Sequence, residues 1–566
     1  MNPVLDKIKK EIIKILATAK IKVKAEDIVR PPDDNMGDFS FPCFKLAKEQ
    51  GKNPADLAKE ILESMGVIKS IFEKIENTGP YVNFFINANE LAKLTVDHIE
   101  KTQALYGRCN IGKGRKMMLE FSQPNTHKEF HIGHSRGTLL GQSLVNILRV
   151  SGYRPIAANY IGDTGAHVSK WLWAYKKFHK GNVPKEQRAL FLNNVYQEAN
   201  AKIEENEKYK EEVAETQMKL EKKDKDLVKI WEMTKEWSLD EFKRIYKVLG
   251  IKFDIYYFES EQEADGKRLV KKMIKQGLAK KSEGAIIVDL EKYNLGIFLV
   301  LRTDGTALYS TKDLALAFKK FKKYRLAESW YLVDTRQELF MKQVFATLEL
   351  LGLKKPLRHI AYEFVSTPEG VISSRKGEIL SFANFYDHIF GMARASTTER
   401  HKDWQETKID DVARVIALSA IKFEMLKTSR EREIMFDPKK ALAFEGFTGP
   451  YILYTLARIN SILKKDKAKK FKKWKYINIE RTEKRLLLKL LMYPDVVAEA
   501  AHEAEPAIIS QYIFDLAQRF SEFYHVINIL KAKDTEKAWR LALIKNTKQV
   551  LENGLKLLGI EHVQEM

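Results

Sequence analysis

Only two cysteines, Cys43 and Cys109, occur in 566 residues. That excludes a disulfide framework and any structural zinc site built on cysteines. No stretch approaches the roughly 18 consecutive apolar residues of a membrane-spanning helix, so no membrane partner is expected. Met1 to Lys10 is charged and has no apolar core, so no secretory signal is expected and the cytoplasm is the default compartment. No segment repeats at a fixed period. Acidic charge is in deficit: 76 Asp and Glu stand against 97 Lys and Arg, a net charge of +21. A chain this basic commonly meets a polyanion, nucleic acid first, although a solvated lysine-rich surface gives the same number.

What is present is a folding composition, 45% hydrophobic and 31% charged. At about 150 residues per domain the length suggests three or four units. The pattern separates three. Residues 1–112 read as a small α+β unit: Leu5, Ile8, Ile12, Ile15 and Leu16 recur at helical spacing, and Tyr81 to Ile86 reads as a strand after Gly79-Pro80. Residues 113–410 alternate strand-like and helix-like runs. Met117–Ser122, Ile156–Ile161, Ala285–Leu290, Phe298–Leu301, Trp330–Val333 and Ile360–Val365 are the strand candidates. Such alternation predicts a Rossmann-type parallel sheet with helices on both faces. Within it, 181–240 is rich in Lys and Glu and reads as inserted, solvated helices. Residues 411–566 are nearly all helical, a bundle.

Two stretches carry residues suited to phosphate chemistry. The first runs Glu120-Phe-Ser-Gln-Pro-Asn125-Thr-His-Lys128-Glu-Phe-His131-Ile-Gly133-His134, between a strand and a helix. Open α/β sheets hold ligands there, beside a helix N-terminus whose amides attract anions. The histidines can donate to phosphate oxygens, Lys128 adds a charge, and Gly133 lets a nucleotide approach the backbone. Taken alone, His-Ile-Gly-His also fits an ordinary helix start. The second stretch is Ile372-Ser373-Ser374-Arg375-Lys376-Gly377, a loop whose adjacent cations can neutralise a departing pyrophosphate. Alone, it also fits a basic surface turn.

Together the two resemble the paired signatures of class I aminoacyl-tRNA synthetases. The longer string from Ser122 to His134 is similar to the arginyl form, Ser-x-Pro-Asn-x-x-Lys-x-x-His-x-Gly-His. Asn159-Tyr-Ile-Gly162-Asp163-Thr164-Gly165, Tyr309-Ser-Thr-Lys-Asp313, Val333-Asp334-Thr-Arg336-Gln337 and Phe444-Glu-Gly-Phe-Thr-Gly-Pro-Tyr451 resemble further motifs of that family, as does the end from Leu551 to Met566.

The resemblance implies ATP-dependent joining of L-arginine to tRNA(Arg), with Mg²⁺ accompanying ATP and no dedicated protein metal site. Arginyl-adenylate forms first; a 3′-terminal hydroxyl of tRNA then takes the arginyl group. It assigns Lys128, His131, Gly133 and His134 to ATP, and Ser373, Ser374, Arg375 and Lys376 to the loop that stabilises the transition state. It assigns Asp313, with Tyr309 and Gln337, to the guanidinium, and Glu120 and Asn125 to the amino-acid end or pocket wall. A planar guanidinium suits a bidentate carboxylate, and a pocket so built rejects lysine. Without the resemblance, Asp313 reads as a helix N-terminal acid and Tyr309 as a buried strand aromatic. Gly162, Asp163 and Gly165 read equally as a tight turn. The first unit resembles the family's additional tRNA-binding domain and the last its anticodon-binding domain. There Tyr451, Tyr454 and Arg458 share a helix face, and a lysine run spans Lys464–Lys475. A monomer is expected.

The departures are few. The second signature is Ile-Ser-Ser-Arg-Lys-Gly rather than Lys-Met-Ser-Lys-Ser. Phe340 stands where the family has His, and Thr164 where many members have Trp. The alternatives are a silent tRNA-binding copy, which has no need of intact signatures, and a cysteinyl or lysyl relative, disfavoured by the scarcity of cysteine and by Asp313.

Overall fold

A computed structural model describes the chain except residues 1, 32, 34, 67–69, 304, 369–380 and 466–476. Ser373, Ser374, Arg375 and Lys376 therefore lie outside the described residues, as does the lysine run beyond Lys465.

The first helix, Pro3–Thr18, starts where a helix should. Asn2 caps it by accepting from the Leu5 amide at 3.2 Å, and Pro3 occupies the first turn, where its missing N–H costs nothing. The helix packs on Ala88–Thr102 and on Arg481–Glu503, while Pro54–Ser64 packs on a three-stranded antiparallel sheet in which Tyr81–Ile86 lies between Phe39–Pro42 and Phe72–Thr78. This unit sits directly on the C-terminal bundle. The Asn2 amide donates to Leu491 O and Asp495, and the Tyr106 hydroxyl donates to Leu490 O at 2.8 Å. Tyr106 also stacks on Tyr493. Gly107 is obligatory at this junction: its φ is +97°, and a Cβ would overlap the Tyr493 ring.

The central sheet has five parallel strands in the order Leu357–Tyr362, Glu328–Asp334, Lys116–Glu120, Arg154–Ile161, Ile255–Phe258. Chain order thus reverses between Lys116–Glu120 and Glu328–Asp334. A crevice opens at such a switch point, at the carboxyl ends of the strands. Both strands there are apolar and buried on both faces, as a covered parallel sheet demands.

Two expected strands of this sheet lie elsewhere. Ala285–Asp289 and Ile297–Leu301 join Lys280–Ser282 in a separate antiparallel sheet. Only Glu283 and Gly284, both at positive φ, join Lys280–Ser282 to Ala285–Asp289, a tight hairpin turn, and only seven residues join Ala285–Asp289 to Ile297–Leu301. A parallel crossover needs a dozen or more residues. The expected Ile360–Val365 strand also divides: Leu357–Tyr362 stays in the sheet, and Val365–Ser366 pairs with Ile434–Met435 instead.

The inserted segment forms three helices, Arg188–Glu205, Lys208–Glu221 and Lys225–Leu249. They are not merely solvated. Val195, Ala199, Leu227 and Trp237 bury a core of their own against Trp171 and Leu172 of Ala166–Phe178. The third helix continues past 240 and returns to the main core through Phe242, Tyr246 and Leu249. The bundle comprises Glu406–Lys427, Gly449–Lys465, Arg481–Glu503, Ala507–Val526 and Asp534–Leu557. Among the described residues no helix is long and apolar enough to cross a membrane.

Candidate functional site

Two cavities of about 500 Å³ each open at the switch point. The first lies at the start of the helix Ile132–Val150. His131 is its N-cap, and the two histidines close a reciprocal cap. The His134 amide donates to His131 Nδ1 at 3.4 Å, and the His131 amide donates to His134 Nδ1 at 3.2 Å. Their rings lie 3.7 Å apart. With each Nδ1 accepting, the proton of each neutral ring belongs on Nε2. Neutrality is enforced. Burial, then Arg336 and Lys128, pushes His131 down to about 4. Burial, then His131 and Lys128, holds His134 well below its usual value. The pair therefore acts as two Nε2–H donors across neutral pH. Lys128 lies over the Tyr196 ring, and the same cavity takes Arg336 and Gln337 into its wall. Gly133 keeps the space beside His131 open, since a Cβ there would lie 3.0 Å from that ring.

The second cavity is acidic. Glu120, Glu259 and Asp313 line it, with Lys320, Tyr160, Tyr309 and Gln337. Tyr309 and Asp313 are four residues apart on the helix Tyr309–Tyr324 and so share a face. Tyr309 opens that helix and is 49% exposed, rather than being a buried strand aromatic. Glu120, at the end of its strand, is ion-paired to Lys320 and accepts from Gln123 at 3.1 Å. Glu259 pairs with Lys312 at 3.4 Å and accepts from Thr164 at 3.2 Å. Asp313 has no such cation in contact among the described residues. It lines the cavity and is partly buried. Burial, then Glu120 and Glu259, pushes its carboxyl up to about 8, with Lys320 opposing. Burial likewise raises Glu259 to about 7, against the pull of Lys312. Such a cavity is poised for a cation: a charged ligand supplies the partner that Asp313 lacks.

Gln123, Asn125, Val333, Arg336 and Gln337 line both cavities. Asn125 is held there by a bridge to Gly162, where a Cβ would overlap the Asn125 side chain. Asp163 faces inward and is fully satisfied by protein. It accepts from Ser260 N at 2.9 Å, Ser260 Oγ at 2.7 Å and Lys235 Nζ at 2.8 Å. Gly162 thus reaches a cavity, Asp163 is a brace for the inserted helices, and Gly165, at φ +109°, caps Ala166–Phe178.

Comparison with known proteins agrees along the whole chain. The family described as "tRNA synthetases class I (R), catalytic domain" matches residues 95–438. "Arginyl tRNA synthetase N terminal domain" matches 4–86, and "DALR anticodon binding domain" matches 452–566. The arginine–tRNA ligase of Clostridium acetobutylicum is 34% identical over 543 residues, 95% of each chain. That of Halothermothrix orenii is 35% identical over 540 residues, again 95% of each. The chain belongs to the arginyl-tRNA synthetase family. The solved arginyl-tRNA synthetase of Thermus thermophilus superposes with a TM-score of 0.78 at 25% identity, over 99% of this chain and 100% of that one. The Plasmodium falciparum enzyme shares the fold at a TM-score of 0.78 and 21% identity, over 99% of each chain.

Among the synthetase motifs, the described residues bring together Lys128, His131, Gly133 and His134 in one cavity and Glu120, Tyr309 and Asp313 in the other. Asn125 and Gln337 stand between. Phe340, in place of the family's His, lines the acidic cavity and packs against Phe298. Neither Glu259 nor Lys320 is marked by a motif. For Lys320 a signal existed: it lies seven residues after Asp313, two turns along one helix face. In the bundle, Tyr451 bonds Ser521 at 3.1 Å, whereas Tyr454 is 36% exposed and lies under the Arg458 guanidinium, which also covers Tyr524.

Proposed function

We propose that the chain is an arginine–tRNA ligase. It activates L-arginine with ATP and transfers it to the 3′-terminal adenosine of tRNA(Arg), releasing AMP and pyrophosphate. The single observation that carries this reading is the wall shared by the two cavities. A guanidinium anchored at Asp313 directs the arginine carboxylate toward that wall, and ATP held at His131 and His134 directs its α-phosphate toward the same place. The carboxylate oxygen attacks the α-phosphorus, and the bond to pyrophosphate breaks. No side chain need act as nucleophile; positioning and charge supply the acceleration.

In this reading Lys128 and the Nε2–H groups of His131 and His134 bind phosphates, and Gly133 admits the adenosine. Asp313 takes the guanidinium, with Tyr309 and Gln337 beside it. Asn125 meets the reacting end. Glu120, committed to Lys320, shapes the pocket. Ser373, Ser374, Arg375 and Lys376 are assigned to the departing pyrophosphate on their sequence alone. Asp334 in the nucleotide cavity is engaged by Arg336. Mg²⁺ is expected to arrive on the ATP phosphates.

We assign residues 1–112 to an additional tRNA contact, 113–410 to catalysis, and 411–566 to the anticodon, with Tyr454 and Arg458 as candidate base-stacking residues. The protein is proposed to act in the cytoplasm as a monomer, for which light scattering should give a mass near 65.5 kDa.

The test is ATP–pyrophosphate exchange against a panel of amino acids, with and without tRNA. Exchange dependent on arginine alone supports the assignment. No exchange with any amino acid, together with tight tRNA binding, would replace it with a silent tRNA-binding copy.

A further inference from the structure

Arg136 lies two residues beyond His134 and is fully buried, yet it lines neither cavity. Among the described residues no carboxylate pairs with it. Its guanidinium is instead surrounded by main-chain carbonyls. Nη1 donates to Glu363 O and, at 3.0 Å, to Phe364 O. Nη2 donates to Ser429 O at 3.2 Å, Arg430 O at 3.5 Å and Arg432 O at 2.7 Å. Burial lowers its pKa only to about 10, so it stays charged at neutral pH. Both terminal nitrogens are satisfied, Nε alone finding no partner among the described residues, and a planar fork reaching several fixed acceptors at once is something only arginine provides.

The five carbonyls belong to two separate segments. Tyr362, Glu363, Phe364 and Val365 form one wall of the cavity that holds His131 and His134. Ser429 to Arg432 belongs to the link between the bundle helices Glu406–Lys427 and Gly449–Lys465. The segments are also laced to each other. The Glu363 amide donates to Arg430 O and the Ile434 amide to Phe364 O, each at 2.9 Å; the Phe436 amide donates to Ser366 O at 2.8 Å. Glu505 steadies the link from the bundle side, accepting from Ser429 Oγ at 3.1 Å and the Arg430 amide at 3.3 Å. On the cavity side, Phe364 lies under Arg336, which lines both cavities.

We propose that Arg136 is a positioning residue: it sets the Tyr362–Val365 wall of the nucleotide cavity against the histidine-capped helix and ties that wall to the bundle. It touches no substrate. The bundle and the nucleotide cavity then meet at one side chain, and disturbing the link on either side should be felt by ATP. The proposal rests on the synthetase reading above.

The experiment is arginine-dependent ATP–pyrophosphate exchange with saturating tRNA on the full chain. Arg136→Lys keeps the charge but has three donors without a planar fork. Losing charge-assisted bonds at the wall should raise the KM for ATP about tenfold and leave the KM for arginine within about twofold. Glu505→Gln weakens the link from the bundle side and removes a carboxylate charge that Arg136 feels; it should shift the KM for ATP the same way, by about threefold, with thermal unfolding near that of the parent. If Arg136→Lys fails to fold, Glu505→Gln decides. Unchanged KM for ATP in the folded variants overturns the proposal. So does a parallel rise in both KM values, which signals general damage. A parent protein inactive with arginine would instead overturn the functional reading.

Discussion

A carboxyl group that is neutral in an empty cavity and ionised beside a guanidinium makes ligand binding a proton-linked event. Asp313, raised to about 8, and Glu259, raised to about 7, are the groups concerned. Below those values a proton must leave before arginine can pair, so the KM for arginine should fall as pH rises from about 6 to about 8, by up to tenfold per unit for each proton released. Above that range it should level off. Calorimetric titration in buffers of different ionisation enthalpy checks this directly. A KM that ignores pH would remove Asp313 from the pocket. Asp313→Ala should raise the KM for arginine at least thirtyfold, corresponding to about 2 kcal/mol or more for a lost buried charge pair, and spare the KM for ATP. Tyr309 and Asp313 are legible as a pair only through the family motif; their shared helix face, four residues apart, comes from the structure, which starts the helix at Tyr309. The raised carboxyl was not legible, since its causes are burial in the folded cavity and then Glu120 and Glu259, which come from two other strands' ends.

Elements meet through braces that carry charge inward. Asp163 is wholly buried and holds the inserted helix Lys225–Leu249 through Lys235, and the strand end at Ser260 through two further bonds. Asp163→Asn keeps the shape and loses the charge, so it leaves a half-buried Lys235 uncompensated. We expect a loss of about 2–4 kcal/mol, read as a lowered midpoint of thermal or urea unfolding. Stability within about 0.5 kcal/mol of the parent would show that Lys235 finds solvent instead. The strands that line the switch point could be read from their apolar runs. Strand–helix alternation alone does not reveal the antiparallel hairpin, which turns on the two residues Glu283 and Gly284. The inserted helices look solvated in sequence because their apolar positions, such as Leu192, Val195 and Ala199, are diluted by Lys and Glu. Their burial depends on Trp171 and Leu172 from another helix.

At the scale of the whole molecule, the +21 net charge now has a destination to be tested. If that charge meets tRNA phosphates, log affinity should fall linearly with log salt, by about 0.7–0.9 per phosphate contacted. Filter binding between 50 mM and 200 mM salt measures it, and a flat response would detach the charge from tRNA. The contacts between early and late chain could not be read from composition. Tyr106 reaches Leu490 and Tyr493, and the Asn553 amide donates to Gln103 O and Tyr106 O. This closure of early chain upon late chain has a consequence for biosynthesis. The surface around Tyr106 and Gly107 emerges from the ribosome nearly four hundred residues before its cover. At about 5–20 residues per second it waits roughly 20–80 s. Throughout that interval the nascent polypeptide carries an uncovered aromatic seat, a natural hold for a chaperone and a hazard for neighbouring chains on one polysome.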